Sequence, residues 1–444
     1  MAISTQSHAV ADDPAAIAAA LERRRAAVVA QWSLHDEVVL LAAGEPIHVP
    51  GRDDLTYRFR AHSDYFYLTD SERSGGVLAF DPAEGWVDFV RPVSSAERLW
   101  EGAPAGQPAG RAVSELDGWL AARSGRPVAL LGAAVAGVTP DPQLSAELRR
   151  GLHHIRRPKD DVEVSRMRIA ERATSGGFAA VAGLMAEGRT ERELQIELEA
   201  EFFRRGGDSL AFETIVASGP NAAVLHFPPT ARPLGHEELV LIDAGAEYRG
   251  YASDVTRTFS SSGRLTPGQA ALYGVVRRAV EAAVALCTPG RETRDIHLAA
   301  AVVIAAGLID FGLLRGSAEA LVAHGAVALF FPHGVGHLLG LGVRDASATS
   351  PGVAPDPRTT PGLRNSLALQ LGCAITIEPG VYFVAARLGD KEVRERLRTA
   401  VNWERADAMI GFGGIRLEQN VLVTEAGPEV LTADIPLLDA AGAA

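Results

Sequence analysis

Five residues of metal-ligating type, Asp243, Asp254, His337, Glu378 and Glu418, stand in five short settings in the C-terminal half of the chain. The settings are LIDAG at 241–245, SDVTRTF at 253–259, PHGVGHLLGL at 332–341, IEPGVY at 377–382 and IRLEQN at 415–420. A fold that uses the five together must bring these distant stretches to one point. Four carboxylates and one imidazole make a hard, oxygen-rich set, better suited to a pair of Mn2+, Co2+ or Zn2+ ions than to a lone structural zinc. Paired metals of this kind activate water for hydrolysis.

The remaining composition narrows the class. A chain of 444 residues exceeds one ordinary core and predicts two domains. With 47% hydrophobic and 22% charged residues it is globular rather than disordered. The net charge of −12 argues against nucleic acid or an anionic membrane as partner, since either needs a basic face. Two cysteines, Cys287 and Cys373, exclude a disulfide scaffold and fit a reducing compartment. The first 25 residues lack a basic segment followed by an apolar run, and no stretch of 18 apolar residues is free of charge. A cytoplasmic location without membrane contact is the expectation, with residues 1–12 disordered.

Strand and helix patterns alternate in the first half. A helix is predicted over 14–30, strands over 37–43, 76–80, 86–90 and 127–132, and helical stretches over 94–99 and 112–123. The alternation predicts an α/β domain. The charged segment 156–167 reads as a linker into a long helix ending near Glu187. The second half carries a weak internal repeat, EGRTERELQ at 187–195 and PGRETRDIHLA at 289–299. In each copy a glycine follows one helix and a threonine can cap the next. Two copies of helix–helix–strand predict a pseudo-symmetric domain with the site between its halves. The ligand settings read as strands. Asp243 and Asp254 are expected to face each other across a hairpin, with Glu378 and Glu418 on two further strands.

Taken in order, the five settings resemble those of the proline-specific metallopeptidases of the pita-bread fold, the aminopeptidase P and prolidase family. YRFRAHSDYFYLTD at 57–70 and SSAERLWEG at 94–102 resemble the smaller domain that precedes the catalytic one there and that methionine aminopeptidase lacks. The resemblance implies an α/β two-domain chain: an N-terminal α/β domain over 13–155 and a pseudo-symmetric pita-bread α+β catalytic domain over 160–438. It implies that Asp243 binds one metal, that Asp254 and Glu418 bridge both, and that His337 and Glu378 complete the second. The cofactor is then two divalent ions, Mn2+ with Co2+ or Zn2+ as alternatives, with a water between them as nucleophile. Glu378 would take that water's proton. His226 and His333 would contact substrate, His333 by donating to the developing oxyanion. Arg416 and Tyr382 would stand beside the substrate, and Trp100 would reach the active site of a neighbouring subunit in a homodimer or homotetramer.

The implied substrates are small peptides with proline second. The bond before proline has no N–H, so aromatic and imidazole walls such as Trp100, Tyr382 and the histidines must recognise the ring. The implied activity is an Xaa-Pro aminopeptidase, with an Xaa-Pro dipeptidase as alternative. A creatinase-like amidinohydrolase or a non-catalytic module is more distant, because all five ligand types are retained. Two departures stand out. Arg344 lies seven residues after His337, where many members have histidine, and offers a guanidinium for a substrate carboxylate or a partner for Asp345. Gln419 and Asn420 follow Glu418 where acidic residues are usual.

Overall fold

Apolar runs in both halves become buried strands, and helix-capping residues set where the helices between them begin. A computed structural model describes residues 10–100, 102, 109–347, 356–363 and 365–438. The chain divides into two compact units, Asp12–Arg156 and the remainder.

The first unit runs α1 (Pro14–Trp32), β1 (Val38–Ala42), β2 (Val77–Asp81), β3 (Gly85–Val90), β4 (Arg111–Ala112), β5 (Val128–Gly132) and α2 (Pro142–Arg156). Its five-stranded sheet has the order β4-β3-β2-β1-β5. β1 lies parallel to β5, with Val39 opposite Ala129, and antiparallel to β2, with Leu40 opposite Ala79. All five residues of β1 and of β2 are buried, as continuous apolar runs require. Most of residues 1–12, expected to be disordered, fall outside the described residues. Ala11 does not fit that expectation: it is fully buried, and its carbonyl accepts from Arg166 Nε at 3.1 Å.

The second unit opens with α3 (Asp161–Ala182). Asp160 caps it in a reciprocal box, accepting from Glu163 N at 3.0 Å while Glu163 accepts from Asp160 N at 3.1 Å. The charges read as linker are therefore in part a helix start, and the helix ends before Glu187. There follow α4 (Glu191–Arg204), β6 (Ile215–Ser218), β7 (Leu239–Ala244), β8 (Val255–Ser260), α5 (Pro267–Val284) and α6 (Thr293–Asp310). Last come β9 (Ala374–Ile377), β10 (Gly380–Tyr382), β11 (Gly414–Arg416), β12 (Gln419–Thr424) and β13 (Gly427–Val430).

The internal repeat corresponds to two similar layers. α3 and α4 pack on the sheet β8-β7-β6 through Phe178, Leu198, Phe202, Val240 and Ile242. α5 and α6 pack on the sheet β9-β12-β13 through Val276, Ile304, Ile375 and Val421. Each such side chain contributes about 1.5–3 kcal/mol by leaving water. The capping differs between the copies. Thr190 and Glu193 form the expected box. Thr293 does not cap α6; Glu292 stands at the cap without a side-chain bond, and the Thr293 hydroxyl donates to the Asn365 carbonyl.

Candidate metal centre

Beyond β7 and β8 the chain continues as a separate pair, Ala246–Tyr248 with Tyr251–Ala252, which turns at Arg249 and Gly250, both with positive φ (50° and 82°). Two left-handed residues give the tight turn whose twist matches the strands. The register sets Asp243 opposite Thr256, and Asp254 stands one residue before β8 rather than facing Asp243. Gly245 makes this offset possible: a Cβ there would lie 1.8 Å from the Ser253 carbonyl oxygen. In the other layer β9 pairs with β12 and β10 with β11. Glu378 falls in the break between β9 and β10, and Glu418 in the break between β11 and β12. His337 lies on a non-helical segment laid against β9. Its N–H donates to Thr376 Oγ1 at 3.1 Å, and its carbonyl accepts from Thr376 N at 2.9 Å. Gly336 permits the approach, since a Cβ would meet the Thr376 carbonyl oxygen at 1.8 Å.

These placements bring ligand atoms of Asp254, His337 and Glu418 within 4.8 Å of one another. His337 Nε2 stands 3.3 Å from Asp254 Oδ2 and 3.7 Å from Glu378 Oε1. His337 Nδ1 faces its neighbour's carbonyl, Leu338 O, at 3.2 Å, which assigns the proton to Nδ1 and leaves the Nε2 lone pair toward the carboxylates. Burial holds His337 neutral, below its usual range. Burial first, then the neighbouring carboxylates, pushes Asp254 and Glu418 well above theirs, and Glu378 rises chiefly by burial. Asp243 Oδ1 is buried without a hydrogen-bond partner among the described residues. A neutral imidazole, crowded carboxylates and an orphaned carboxylate oxygen fit divalent cations, which Asp243, Asp254, His337, Glu378 and Glu418 would hold.

A second layer fixes the cluster. Thr256 Oγ1 donates to Glu418 Oε2 at 2.7 Å and accepts from Arg416 Nε at 2.9 Å. Arg416 also donates to Asp243 Oδ2 at 2.5 Å and to the Tyr382 hydroxyl at 2.8 Å. That hydroxyl lies 2.9 Å from His333 Nε2, while His333 Nδ1 lies 2.9 Å from the Gly334 carbonyl. Arg257, 1% exposed, joins β8 to β12 by donating to the Glu418 carbonyl at 2.5 Å and to Gln419 Oε1 at 3.1 Å. Sequence reasoning assigned no role to Thr256, Thr376 or Arg257. For Thr256 the signal is the two-residue alternation from Asp254, which puts both on one face.

A cavity of about 730 Å³ opens over the cluster, lined among others by His226, His333, Arg344 and Arg416 together with Asp243, Asp254, His337, Glu378 and Glu418. Two expected roles change, and the alternative of an Arg344–Asp345 pair falls away. Tyr382 is fully buried behind His333 and is no wall to the substrate. His333 is held neutral, down to about 3, by burial and then by Arg416. Its Nδ1–H donates to Gly334 and its Nε2 accepts from Tyr382, so no proton is left to donate to an oxyanion. Asp345 pairs with Lys159 at 3.0 Å, leaving Arg344 exposed on the cavity. Trp100 stands in the other unit, 82% exposed.

The family model for metallopeptidase family M24 matches residues 165–425, more than half of the chain. The chain belongs to metallopeptidase family M24. The model for the aminopeptidase P N-terminal domain matches residues 21–123. Among relatives of this M24 peptidase, Xaa-Pro aminopeptidase 2 of Streptomyces coelicolor is 33% identical over 97% of this chain and 91% of its own. The structure of Pseudomonas aeruginosa aminopeptidase PepP aligns with a TM-score of 0.77 at 30% identity, covering 94% of this chain and 95% of that one. Zn-substituted aminopeptidase P from E. coli, in complex with product, aligns with a TM-score of 0.76 at 27% identity, covering 95% and 96%. The M24 chain is thus a metal-dependent peptidase with a pita-bread catalytic domain behind an N-terminal α/β domain. Among the described residues no helix is long and apolar enough to cross a membrane.

Proposed function

We propose that this peptidase is an Xaa-Pro aminopeptidase that releases the first residue of peptides with proline second, using two divalent ions, Mn2+ in the cell. The observation that supports this most directly is the convergence of Asp254, His337 and Glu418 within 4.8 Å, in one cavity with Asp243 and Glu378. The name borne by the Streptomyces relative supports the substrate. Bound divalent ions supply an activated water and polarise the scissile carbonyl. Asp243 would hold one ion, Asp254 and Glu418 would be shared by the pair, and His337 and Glu378 would hold the other. Glu378, whose side chain is 20% exposed, accepts the proton of the attacking water. His226, exposed at the cavity, donates to the substrate carbonyl. His333, held edge-on to Phe331 and to Tyr382 with centroids at 5.0 and 5.4 Å, presents a flat wall to the proline ring. Arg416 and Tyr382 orient Asp243 and His333.

Residues 13–155 form the accessory domain and 160–438 the catalytic domain in this reading. The chain works in the cytoplasm as a homodimer or homotetramer. The exposure of Leu99 (78%) and Trp100 (82%) supports contact with a second copy. The test is turnover of Ala-Pro-Xaa tripeptides after Mn2+ addition. Release of alanine that chelator abolishes is expected; undiminished turnover in metal-free protein would sink the mechanism.

A second reading is supported by Arg344, which lines the cavity and whose charge opposes the upward shift at Asp254 and Glu378. A guanidinium there grips a free α-carboxylate close to the scissile bond and extends the activity to Xaa-Pro dipeptides.

A further inference from the structure

Lys159 and Asp345 form an ion pair at 3.0 Å with both side chains 1% exposed. Burying two charges costs several kcal/mol per ion, and well-packed apolar residues often serve stability as well or better. The pair therefore calls for a geometric explanation. Its surroundings supply one.

Lys159 lies on the short segment that leads into α3. Its Nζ also donates to the Arg157 carbonyl at 2.9 Å, and its backbone N–H to the Gly372 carbonyl at 2.8 Å. Arg157 Nε donates to the Ala346 carbonyl at 3.2 Å. From the other side, Asp345 Oδ2 accepts from Leu341 N at 3.2 Å, and Asp345 N donates to the Leu338 carbonyl at 3.0 Å. The loop from 338 to 346 is thus closed on itself and tied to residues 157–159. Gly340 leaves the room: a Cβ there would lie 2.3 Å from Lys159 Cε and 2.6 Å from Asp345 Oδ2. Ala346 exits the loop in a left-handed conformation, φ 46°, uncommon for a residue with a side chain.

Two consecutive residues then part company. Asp345 is buried against Lys159, while Arg344 is exposed and lines the cavity with His337 and Glu378. Among the described residues the Arg344 guanidinium makes no hydrogen bond or ion pair.

We propose that Lys159 is a positioning residue that, through Asp345, aims Arg344 at the free α-carboxylate of an Xaa-Pro dipeptide. The inference rests on the reading of Arg344 given above. The lock keeps Arg344 on the cavity wall with its donors uncommitted among the described residues, in reach of substrate.

The experiment compares kcat/KM for Ala-Pro and for Ala-Pro-amide, which lacks the carboxylate, in Mn2+-loaded enzyme. Arg344→Ala lowers the Ala-Pro to Ala-Pro-amide ratio about tenfold, the scale of one charge-assisted pair. Lys159→Met lowers the same ratio, and adding it to Arg344→Ala lowers it no further, as coupled residues behave. Metal content is unchanged in each variant. If Lys159→Met fails to fold, Lys159→Met with Asp345→Leu replaces the pair by apolar volume, and the ratio falls in it too. An unchanged ratio in whichever Lys159 variant folds, beside a reduced one in Arg344→Ala, overturns the role of Lys159 and leaves that of Arg344. An unchanged ratio in Arg344→Ala overturns both.

Discussion

Burial and mutual repulsion make ionisation costly at Asp254 and Glu418 until a cation arrives. Their carboxyls hold protons above the usual range, and a metal must displace those protons to bind. Affinity for Mn2+ therefore rises with pH, and calorimetry should find protons released on binding. Asp254→Asn or Glu418→Gln should remove at least one ion and nearly all activity, read by elemental analysis beside kcat; a variant that keeps both ions and normal kcat would contradict the bridging assignment. Tyr382→Phe asks a different question. It removes the hydroxyl between Arg416 and His333, leaving a buried donor and acceptor without partners at a cost of about 1–3 kcal/mol. Urea midpoints should fall while metal content stays. The five candidate ligands stood out in the sequence because each sits in a recognisable setting, and the fold brings Asp254, His337 and Glu418 together. The role of Tyr382 was not, because its phenol is next to the substrate pocket in sequence pattern but behind His333 in space.

Among the elements, strands were legible and their interruptions were not. The run AITIEPG reads as one strand, and nothing in its two-residue alternation announces that Glu378 stands where the pairing changes from β12 to β11. The same break at Leu417–Glu418 turns the second glutamate inward. Glycines mark such places better than apolar residues do. Gly336→Ala would drive a Cβ into the Thr376 carbonyl and displace His337, so metal should be lost with the helices intact by circular dichroism. Capping was legible where it used a reciprocal box. Thr190→Ala should cost about 1 kcal/mol through α4. At Thr293 the same residue type serves another bond, a long-range partner that local spacing cannot reveal.

Across the whole molecule, the two units respond to acid in different ways. In Asp12–Arg156, Asp81 is held below the usual carboxylate range, first by Arg126, then by the Ala83 N–H and Arg123. A lowered folded pKa gives stability that is present above the ordinary carboxylate value and is lost progressively as pH falls from there through the lower, folded value. Asp81→Asn should flatten that acid limb in denaturant titrations of the full chain. Asp254, Glu378 and Glu418 have the opposite sign: their raised values favour the folded state as pH falls into the carboxylate range. The division into an α/β half and a repeated half was legible from alternation and from the repeat, whereas the seam was not, because its charges mix a helix cap with a buried lock. That seam bears on modularity. Two-domain chains are commonly recombined at their linkers, which are open and make few contacts. Here residues 157–159 belong structurally to the catalytic side. A chimera that exchanges N-terminal domains at Arg156 would carry the Arg344 loop intact, while one joined at Asp160 would import a foreign segment beneath it and inherit another parent's taste for dipeptides.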